Sequence, residues 1–237
     1  GLVSMIIAAG TVVSSLASDF LTRKLGTGLV TLITLLMTAG AMLGFSFAGA
    51  FWVLCIIAVP YGLGAGGVDA ALNNYVALHY KSRHMSWLHC FWGMGALISP
   101  FIMSAAITGG AGWQGGYSLV SYVQFGLCAV LLLSLPLWKK RAAPEAGGGK
   151  PLTLPQTLRL RGVVFILVAF FCYSAVEATA MQWASSYFTE HRQVSAELAA
   201  MLGSLFYIGI TAGRLVSGFV SEKLGDKRLI RIGIAVM

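Results

Sequence analysis

The sequence is poor in charged residues. Asp, Glu, Lys and Arg make up 10% of the 237 residues, against about 25% in an average soluble domain. Residues 25–68 and 85–138 contain none of the four. Since a helix needs about 20 apolar residues to cross a bilayer, each of these stretches is long enough for a pair of membrane helices. Together with a hydrophobic fraction of 57%, this excludes an ordinary soluble domain.

Residue types that carry out catalysis are also scarce. Four cysteines fall in apolar stretches without paired spacing, which predicts buried thiols rather than a disulfide or a metal site. They are Cys55, Cys90, Cys128 and Cys172. His79, His84 and His191 lie at the ends of apolar segments, without further ligands at helical spacing. No nucleophile with a neighbouring base stands out, so we expect no enzyme activity, no metal and no other cofactor.

The basic residues lie in alternate connections between the apolar segments. Fourteen of the 16 Lys and Arg residues occur within 23–24, 81–83, 139–161 and 223–231, with Arg192 and Arg214 outside these ranges, whereas the connections 46–50 and 109–116 carry no charge. By the positive-inside rule, this asymmetry predicts cytoplasmic basic loops and a multi-pass protein of the plasma or inner membrane. The net charge of +8 therefore indicates membrane topology, and we expect the lipid bilayer rather than nucleic acid as a partner.

Hydrophobic runs and turn residues divide the chain into eight apolar segments. These are 1–18, 27–46, 51–78, 86–108, 117–138, 162–189, 197–221 and 229–237. The stretch 139–160 contains several prolines and three consecutive glycines, which predicts a flexible cytoplasmic linker. The predicted fold is therefore all-α, a polytopic bundle of membrane helices.

A short motif of acidic and basic residues occurs twice. Residues 15–26 and residues 218–228 each contain an acid, basic residues and a Leu-Gly pair, and each joins two apolar segments. Because Gly26 and Gly225 lie 199 positions apart, the chain is predicted to contain two related membrane halves. The motif resembles the loop signature of the major facilitator superfamily of secondary transporters.

This resemblance implies a fold of two pseudo-symmetric six-helix halves, incomplete here. The chain would be a fragment with helices 2 to 8 and the start of helix 9. Residues 1–138 would form the N-terminal half without helix 1, residues 139–160 the linker, and residues 161–237 the start of the C-terminal half.

The resemblance also implies gating by the charged loops, through ion pairs that form and break between helices as the halves rock. The residues concerned are Asp19, Arg23, Lys24, Glu222, Lys227 and Arg228. We place Arg214 with them as a structural or gating residue. It lies toward the cytoplasmic end of its segment, where an arginine snorkels to the interface or pairs with an acid of another helix.

The segment Gly62–Gly67 matches the G-x-G-x-x-G pattern of nucleotide-binding turns. That pattern requires a preceding strand, whereas here it lies inside an apolar segment. We interpret these glycines as positions where a neighbouring helix comes close, as in tightly crossed membrane helices.

Asp69 is an acidic residue well inside an apolar segment. An ionised carboxylate there costs of order 2.5–3.5 kcal/mol on insertion scales, so it must face water, pair or take up a proton. Asn73 follows one helical turn later, with Asn74 beside it. An acid with a neighbouring amide is suited to binding a hydroxylated solute and carrying a proton. The alternative is a polar clamp between helices.

Residues 62–100 resemble the fucose–proton symporter branch of the superfamily. The shared pattern is Gly-Leu-Gly, an acid with Asn four positions later, Leu-His, an aromatic, Gly-x-Gly-Ala and a proline. The resemblance implies that Asp69 is a proton-coupling acid and that Asn73 contacts the solute. His89, in the Leu-His pair, is a further solute-binding candidate, with a hydrogen-bonded packing role as the alternative.

Glu177 is a second acid inside an apolar segment. Tyr173 shares its helical face, and Gln182 and Trp183 follow on the next turn. Sugars stack their C–H faces on indole rings while amides and carboxylates bind their hydroxyls, so this set is typical of a polyol site. Glu177 is also a second proton-coupling candidate, and a structural anchor is the alternative.

These features favour secondary transport of a small polar solute, with a sugar-like molecule preferred, driven by proton symport. The proton gradient would supply the energy, and we expect the intact protein to be a monomer. Two other classes stay open: an efflux antiporter for drugs or metabolites, and a non-transporting receptor on a transporter scaffold.

Overall fold

The computed structural model describes residues 1–138 and 152–236, and these residues form helices without any β-strand. The α-helices are α1 (Leu2–Leu25), α2 (Thr27–Ser46), α3 (Phe51–His79), α4 (Ser82–Thr108), α5 (Gly112–Ser134), α6 (Leu154–Leu158), α7 (Val163–Glu190), α8 (Ala196–Leu224) and α9 (Asp226–Val236). Seven of the helices in the described residues are long and apolar enough to cross a membrane. The predicted all-α membrane bundle is confirmed.

The two copies of the repeated motif end their helices in the same way. Helix α1 ends at Leu25 and α8 at Leu224, and the following Gly26 and Gly225 have φ of 82° and 77°. Glycine adopts this left-handed backbone without the steric penalty of a Cβ, and the next helix begins directly after it. The prediction that the first segment ends near Asp19 was wrong, because the helix continues through the charged part of the motif.

The predicted linker is only partly within the described residues, since 139–151 lie outside them. Its later part is not wholly irregular, because Leu154–Leu158 forms the short helix α6. Thr153 caps this helix, and the side chain of Gln156 accepts a hydrogen bond from the Thr153 backbone amide at 2.8 Å. This capping box satisfies amide groups that a helix start leaves without partners.

The chain divides into two compact units. The first contains the described residues of Gly1–Leu88, Ile98–Arg141 and Gly218–Met237, and the second contains those of His89–Leu97 and Ala142–Ser217. In the first unit, α3 packs against both α1 and α2, and α5 packs against α2. The hydroxyl of Ser121 on α5 is buried and donates to the carbonyl of Ala39 on α2 at 2.8 Å.

The glycines of α3 allow α1 to approach the backbone of α3 closely. A Cβ at Gly62 or Gly66 would collide with the carbonyl oxygens of Ile7 and Thr11. The hydroxyl of Thr11 also donates to the carbonyl of Gly62 at 3.3 Å. The interpretation of the Gly62–Gly67 segment as a close helix crossing is confirmed.

The second unit also uses small residues where its helices meet. Ser185 on α7 donates to the carbonyl of Ala199 on α8 at 3.3 Å, and Gly203 faces the same serine. Gly93 lies directly against Thr211, so α4 and α8 touch within this unit. This crossing brings the middle of α8 next to residues 89–97.

The cysteines are free, and Cys55, Cys90 and Cys128 are buried as predicted. Cys172 is exposed, so the expectation of burial was wrong for this residue. It lies on α7, on a face that the described residues of the chain leave uncovered.

Candidate functional site

Asp69 and Asn73 form a hydrogen-bonded pair on α3, in the first unit. The Nδ2 of Asn73 donates to the Oδ1 of Asp69 at 3.0 Å and to the Asp69 backbone carbonyl at 2.9 Å. The one-turn spacing places both side chains on one face of the helix, as expected. The amide therefore holds the carboxylate in one orientation.

The Asp69 carboxylate is not enclosed by the described protein. Asp69 is exposed, and Asn73 and Asn74 are half-buried. An acid at this depth of an apolar helix is stable only where water, a partner or a proton compensates its charge. One amide hydrogen bond leaves most of the acceptor capacity of a carboxylate open. The Asp69 carboxylate can therefore accept a hydrogen bond from a hydroxyl group, or a proton.

Arg214 and Glu177 form an ion pair in the second unit. Nη2 of Arg214 on α8 lies 3.1 Å from Oε1 of Glu177 on α7, and the two side chains are 21% and 14% exposed. The sequence left two roles open for Arg214, snorkelling to the interface or pairing with an acid of another helix, and the structure shows the pairing. Glu177 lies near the middle of α7, and Arg214 lies past the middle of α8, ten residues before its end at Leu224.

Three further groups surround the Arg214 guanidinium. Its Nη1 donates to the backbone carbonyl of His89 at 3.4 Å, and its Nη2 donates to the hydroxyl of Tyr173 at 3.5 Å. The guanidinium carbon also lies 5.1 Å from the centre of the Trp92 ring. This arrangement favours a cation–π interaction. We call these five residues the Arg214 cluster: Tyr173, Glu177, His89, Trp92 and Arg214.

The structure groups the predicted polyol-binding residues of α7 differently from the prediction. Tyr173 and Glu177 share a site as expected, but the nearest charged partner of Glu177 is Arg214. Gln182 and Trp183 lie further toward the Glu190 end of α7, and both are exposed. His89 reaches the cluster through its backbone carbonyl, and its side chain is half-buried.

The first copy of the loop motif pairs within one helix. Arg23 forms an ion pair with Asp19 one turn earlier on α1, and Lys24 lies 5.7 Å from the centre of the Phe20 ring. The motif was expected to pair between helices, whereas this ion pair lies within one helix, as the four-residue spacing allows.

The second copy of the motif does pair between elements of the first unit. Oε1 of Glu222 lies 3.4 Å from Nε of Arg83 and 3.8 Å from Nζ of Lys81. Ser82 donates to Oδ1 of Asp226 at 3.1 Å. Lys227 and Arg228 lie in the first turn of α9. Glu222 and Asp226 therefore both contact the N-terminal end of α4, where the unpaired backbone amides and the helix dipole favour negative charge.

Sequence reasoning missed Trp92 as a partner of Arg214, and Lys81 and Arg83 as partners of Glu222. Their partners lie on other helices, and sequence spacing within one helix gives no sign of them. The only available signal was chemical, because an arginine inside an apolar segment needs an acid or an aromatic face.

A separate cavity of about 560 Å³ lies in the first unit. It is lined by Val3, Ile7, Met42, Phe45, Leu54, Tyr61, Met103, Trp113 and Tyr117. Its apolar and aromatic lining contains none of the predicted solute-binding or proton-coupling residues. In the part of the chain that the structure describes, no group of three or more His, Cys, Asp or Glu side chains is placed to hold a metal ion.

Comparison with known proteins gives one family. The chain is 25% identical to the hexuronate transporter of Bacillus subtilis over 233 residues, which cover 90% of this chain and 53% of that protein. It is 23% identical to a protein TsgA homolog of Serratia proteamaculans, covering 90% of this chain and 52% of that one. It is 22% identical to the glucose/mannose transporter GlcP of B. subtilis, covering 73% of this chain and 45% of that protein.

The chain thus spans about half the length of the curated relatives that it matches. The family model of the Major Facilitator Superfamily matches residues 1–237. With seven apolar helices of membrane-spanning length in its described part, it is a multi-pass membrane protein, and it belongs to the Major Facilitator Superfamily.

Proposed function

We propose that the intact protein containing this chain is a secondary active transporter, which moves a small sugar-like solute by proton symport. The observation that carries the proposal is the Asp69–Asn73 pair on α3. It combines a group that takes up a proton with an amide that binds hydroxyls, held together at 3.0 Å inside a membrane helix. In a symporter solute occupancy and protonation must influence each other, and adjacent groups allow them to do so directly.

The solute class is supported by the relatives. They include a hexuronate transporter and a glucose/mannose transporter, so their names cover both acidic and neutral sugars. Within the first unit, the amide of Asn73 and the carboxylate of Asp69 suit the hydroxyl groups of a polyhydroxylated molecule. We assign the protein no catalytic role, and we propose that it works as a monomer.

The orientation follows from the charge distribution. The loop at 81–84 and the linker would face the cytoplasm, and the uncharged turn at 109–111 would face outward. The membrane would be the plasma or inner membrane, across which a proton gradient is available. With this orientation, symport drives uptake.

Transport by the intact protein in proteoliposomes tests the proposal. Uptake of radiolabelled glucose, mannose and glucuronate would be measured with and without an inward proton gradient. We expect at least one of these solutes to accumulate above its equilibrium level, and we expect a protonophore to abolish that accumulation. No uptake above protein-free liposomes, or accumulation that is insensitive to the protonophore, would refute the proposal.

A further inference from the structure

We propose that Arg214 binds the carboxylate of the solute, which makes the preferred solute a sugar acid rather than a neutral sugar. The inference rests on the proposed transport function and narrows its substrate class. In the structure, Glu177 forms an ion pair with the Arg214 guanidinium. In the loaded protein, the solute carboxylate takes the place of Glu177.

The guanidinium of Arg214 is incompletely used in the structure. Arginine has five N–H donors in a planar fork that matches a carboxylate with two parallel bonds. Glu177 forms one contact at 3.1 Å through a single nitrogen and a single oxygen. The bonds to His89 and Tyr173 are longer, at 3.4 Å and 3.5 Å. A bidentate ligand would therefore make better bonds than the present partners do.

Stability alone gives little reason for this ion pair. Taking two charges out of water costs several kcal/mol for each, and a buried pair is often no more stabilising than well-packed apolar residues. The cost is repaid only by good geometry and further hydrogen bonds; here the ion pair is a single contact, and the two further bonds of Arg214 are long, at 3.4 Å and 3.5 Å. Exchange of partners during a transport cycle explains this loose geometry better than a purely stabilising role does.

The groups around Arg214 suit the rest of a sugar acid. Trp92 and Tyr173 are 50% and 39% exposed, so each offers part of a ring to an incoming molecule. Indole and phenol faces stack on the C–H faces of a sugar, and the Tyr173 hydroxyl bonds to its hydroxyl groups. A neutral sugar would have to separate Arg214 from Glu177 without replacing the charge. An acid replaces it, and this difference makes the site selective.

Exchange of one carboxylate for another leads to an unusual expectation for Glu177. If Glu177 competes with the solute for Arg214, then Glu177→Gln removes the competitor and strengthens acid binding. If the pair only holds α7 and α8 together, both Arg214→Gln and Glu177→Gln weaken every ligand alike. The two roles therefore predict opposite changes for one variant.

The experiment uses the intact protein in detergent and three matched pairs of probes. Each pair differs by a carboxylate in place of a hydroxymethyl group: glucuronate and glucose, galacturonate and galactose, gluconate and glucitol. Binding of each would be measured by titration calorimetry to wild type, Arg214→Gln, Arg214→Lys and Glu177→Gln. Arg192→Gln is the matched control, because Arg192 is an exposed residue outside the cluster.

We expect at least one acid to bind more tightly than its neutral partner. Arg214→Gln should weaken that acid by about 10- to 100-fold, the range for a lost charged hydrogen bond, while changing the neutral partner little. Arg214→Lys should restore part of the affinity, because lysine keeps the charge but loses the fork. Glu177→Gln should tighten acid binding, and Arg192→Gln should leave it unchanged.

Arg214→Gln leaves Glu177 without its partner, and the variant could therefore fail to fold. The double variant Arg214→Gln/Glu177→Gln removes both charges and keeps the shape of the pair. It should fold and bind neutral sugars, but it should lose the preference for acids. Preference for the neutral member of every pair, or weaker acid binding in Glu177→Gln, would overturn the inference. If neutral sugars are accumulated with protons while acids are not bound, the inference fails and the proposed function stands.

Discussion

The side chain of Asn73 holds the carboxylate of Asp69 across one turn of α3, with Nδ2 3.0 Å from Oδ1. A second bond from the same nitrogen to the Asp69 carbonyl, at 2.9 Å, fixes the amide to the helix. The Asn73 amide and the Asp69 carboxylate thus form one hydrogen-bonded unit on this face of α3, so a change in what one side chain binds alters the hydrogen bonds available to the other.

The first prediction is that Asp69→Asn abolishes accumulation driven by the proton gradient but retains downhill exchange of the solute. The amide keeps the size and most hydrogen bonds of the acid, yet it does not titrate. Counterflow and gradient-driven uptake, measured on the same proteoliposomes, separate the two activities. Glu190→Gln, at the exposed end of α7, is the matched control and should keep both. Uphill accumulation by Asp69→Asn would identify Asp69 as structural and leave Glu177 as the coupling candidate.

The second prediction is that Asn73→Ala weakens solute affinity by about 1–3 kcal/mol, the effect of leaving a polar partner unsatisfied. Coupling should persist, because Asp69 is still present to carry the proton. Measurement of the Kd and of the proton-to-solute ratio distinguishes these effects. A lower ratio at unchanged Kd would show that Asn73 acts on the proton rather than on the solute.

Features that depend on local sequence were the ones that could be predicted. The apolar segments, the two Leu-Gly turns and the Asp69–Asn73 pair involve residues within a few positions of each other. Glycine at Gly26 and Gly225 permits a backbone that other residues avoid, so each Leu-Gly pair marks a helix end, although the apolar segments were predicted to end earlier, at 18 and 221. The α3 glycines likewise indicated a close crossing before the crossing helix was known.

Contacts between helices could not be predicted from one sequence. An arginine in a membrane helix requires a partner, but spacing along α8 does not show whether the partner lies on α7 or elsewhere. The structural or gating role of Arg214 was assigned without knowing its partner, and the structure identifies Glu177 on α7 as that partner. For Asp19 the spacing did contain a signal, because Arg23 lies one turn later on the same helix and forms an ion pair with it.

The third prediction concerns the crossing of α1 and α3. Gly66→Ala should destabilise the protein by about 1–3 kcal/mol, the range for overpacking, because the added Cβ collides with the Thr11 backbone. Backbone cannot move aside as a flexible side chain would. Gly40→Ala is the control, because a Cβ at Gly40 in α2 meets nothing within 4 Å. Thermal unfolding in detergent should show a lower Tm for the first variant only. Equal Tm values for both would contradict the close crossing.

The fourth prediction concerns topology. In a cysteine-free background, Leu152→Cys in the linker should be protected from a membrane-impermeant thiol reagent applied to intact cells. Gln114→Cys, near the start of α5, should react, because the uncharged turn before it is expected to face outward. Both positions are exposed, so burial within the described chain does not explain a difference. The reverse labelling pattern would invert the orientation.

The last prediction is that Glu222→Gln loosens the contact between the start of α4 and the end of α8. Glu222 pairs with Lys81 and Arg83, and all three side chains are at least 39% exposed. Exposed pairs contribute about 0–1 kcal/mol, so the loss should change the Tm little. When two conformations differ by only a few kcal/mol in free energy, the loss of an ion pair of this strength still shifts their populations.

Ser221, the neighbour of Glu222, is 6% exposed, and Ser221→Cys in a cysteine-free background is therefore a reporter of opening. Its alkylation rate should rise roughly two- to fivefold when Glu222→Gln is added, which corresponds to 0.5–1 kcal/mol. Glu190→Gln in the same background should leave the rate unchanged, since it removes an equal charge far along the sequence from this contact. A rise in both variants would indicate a general effect of charge. If neither variant changes the rate, the Glu222 pairs do not hold this end of α8 closed.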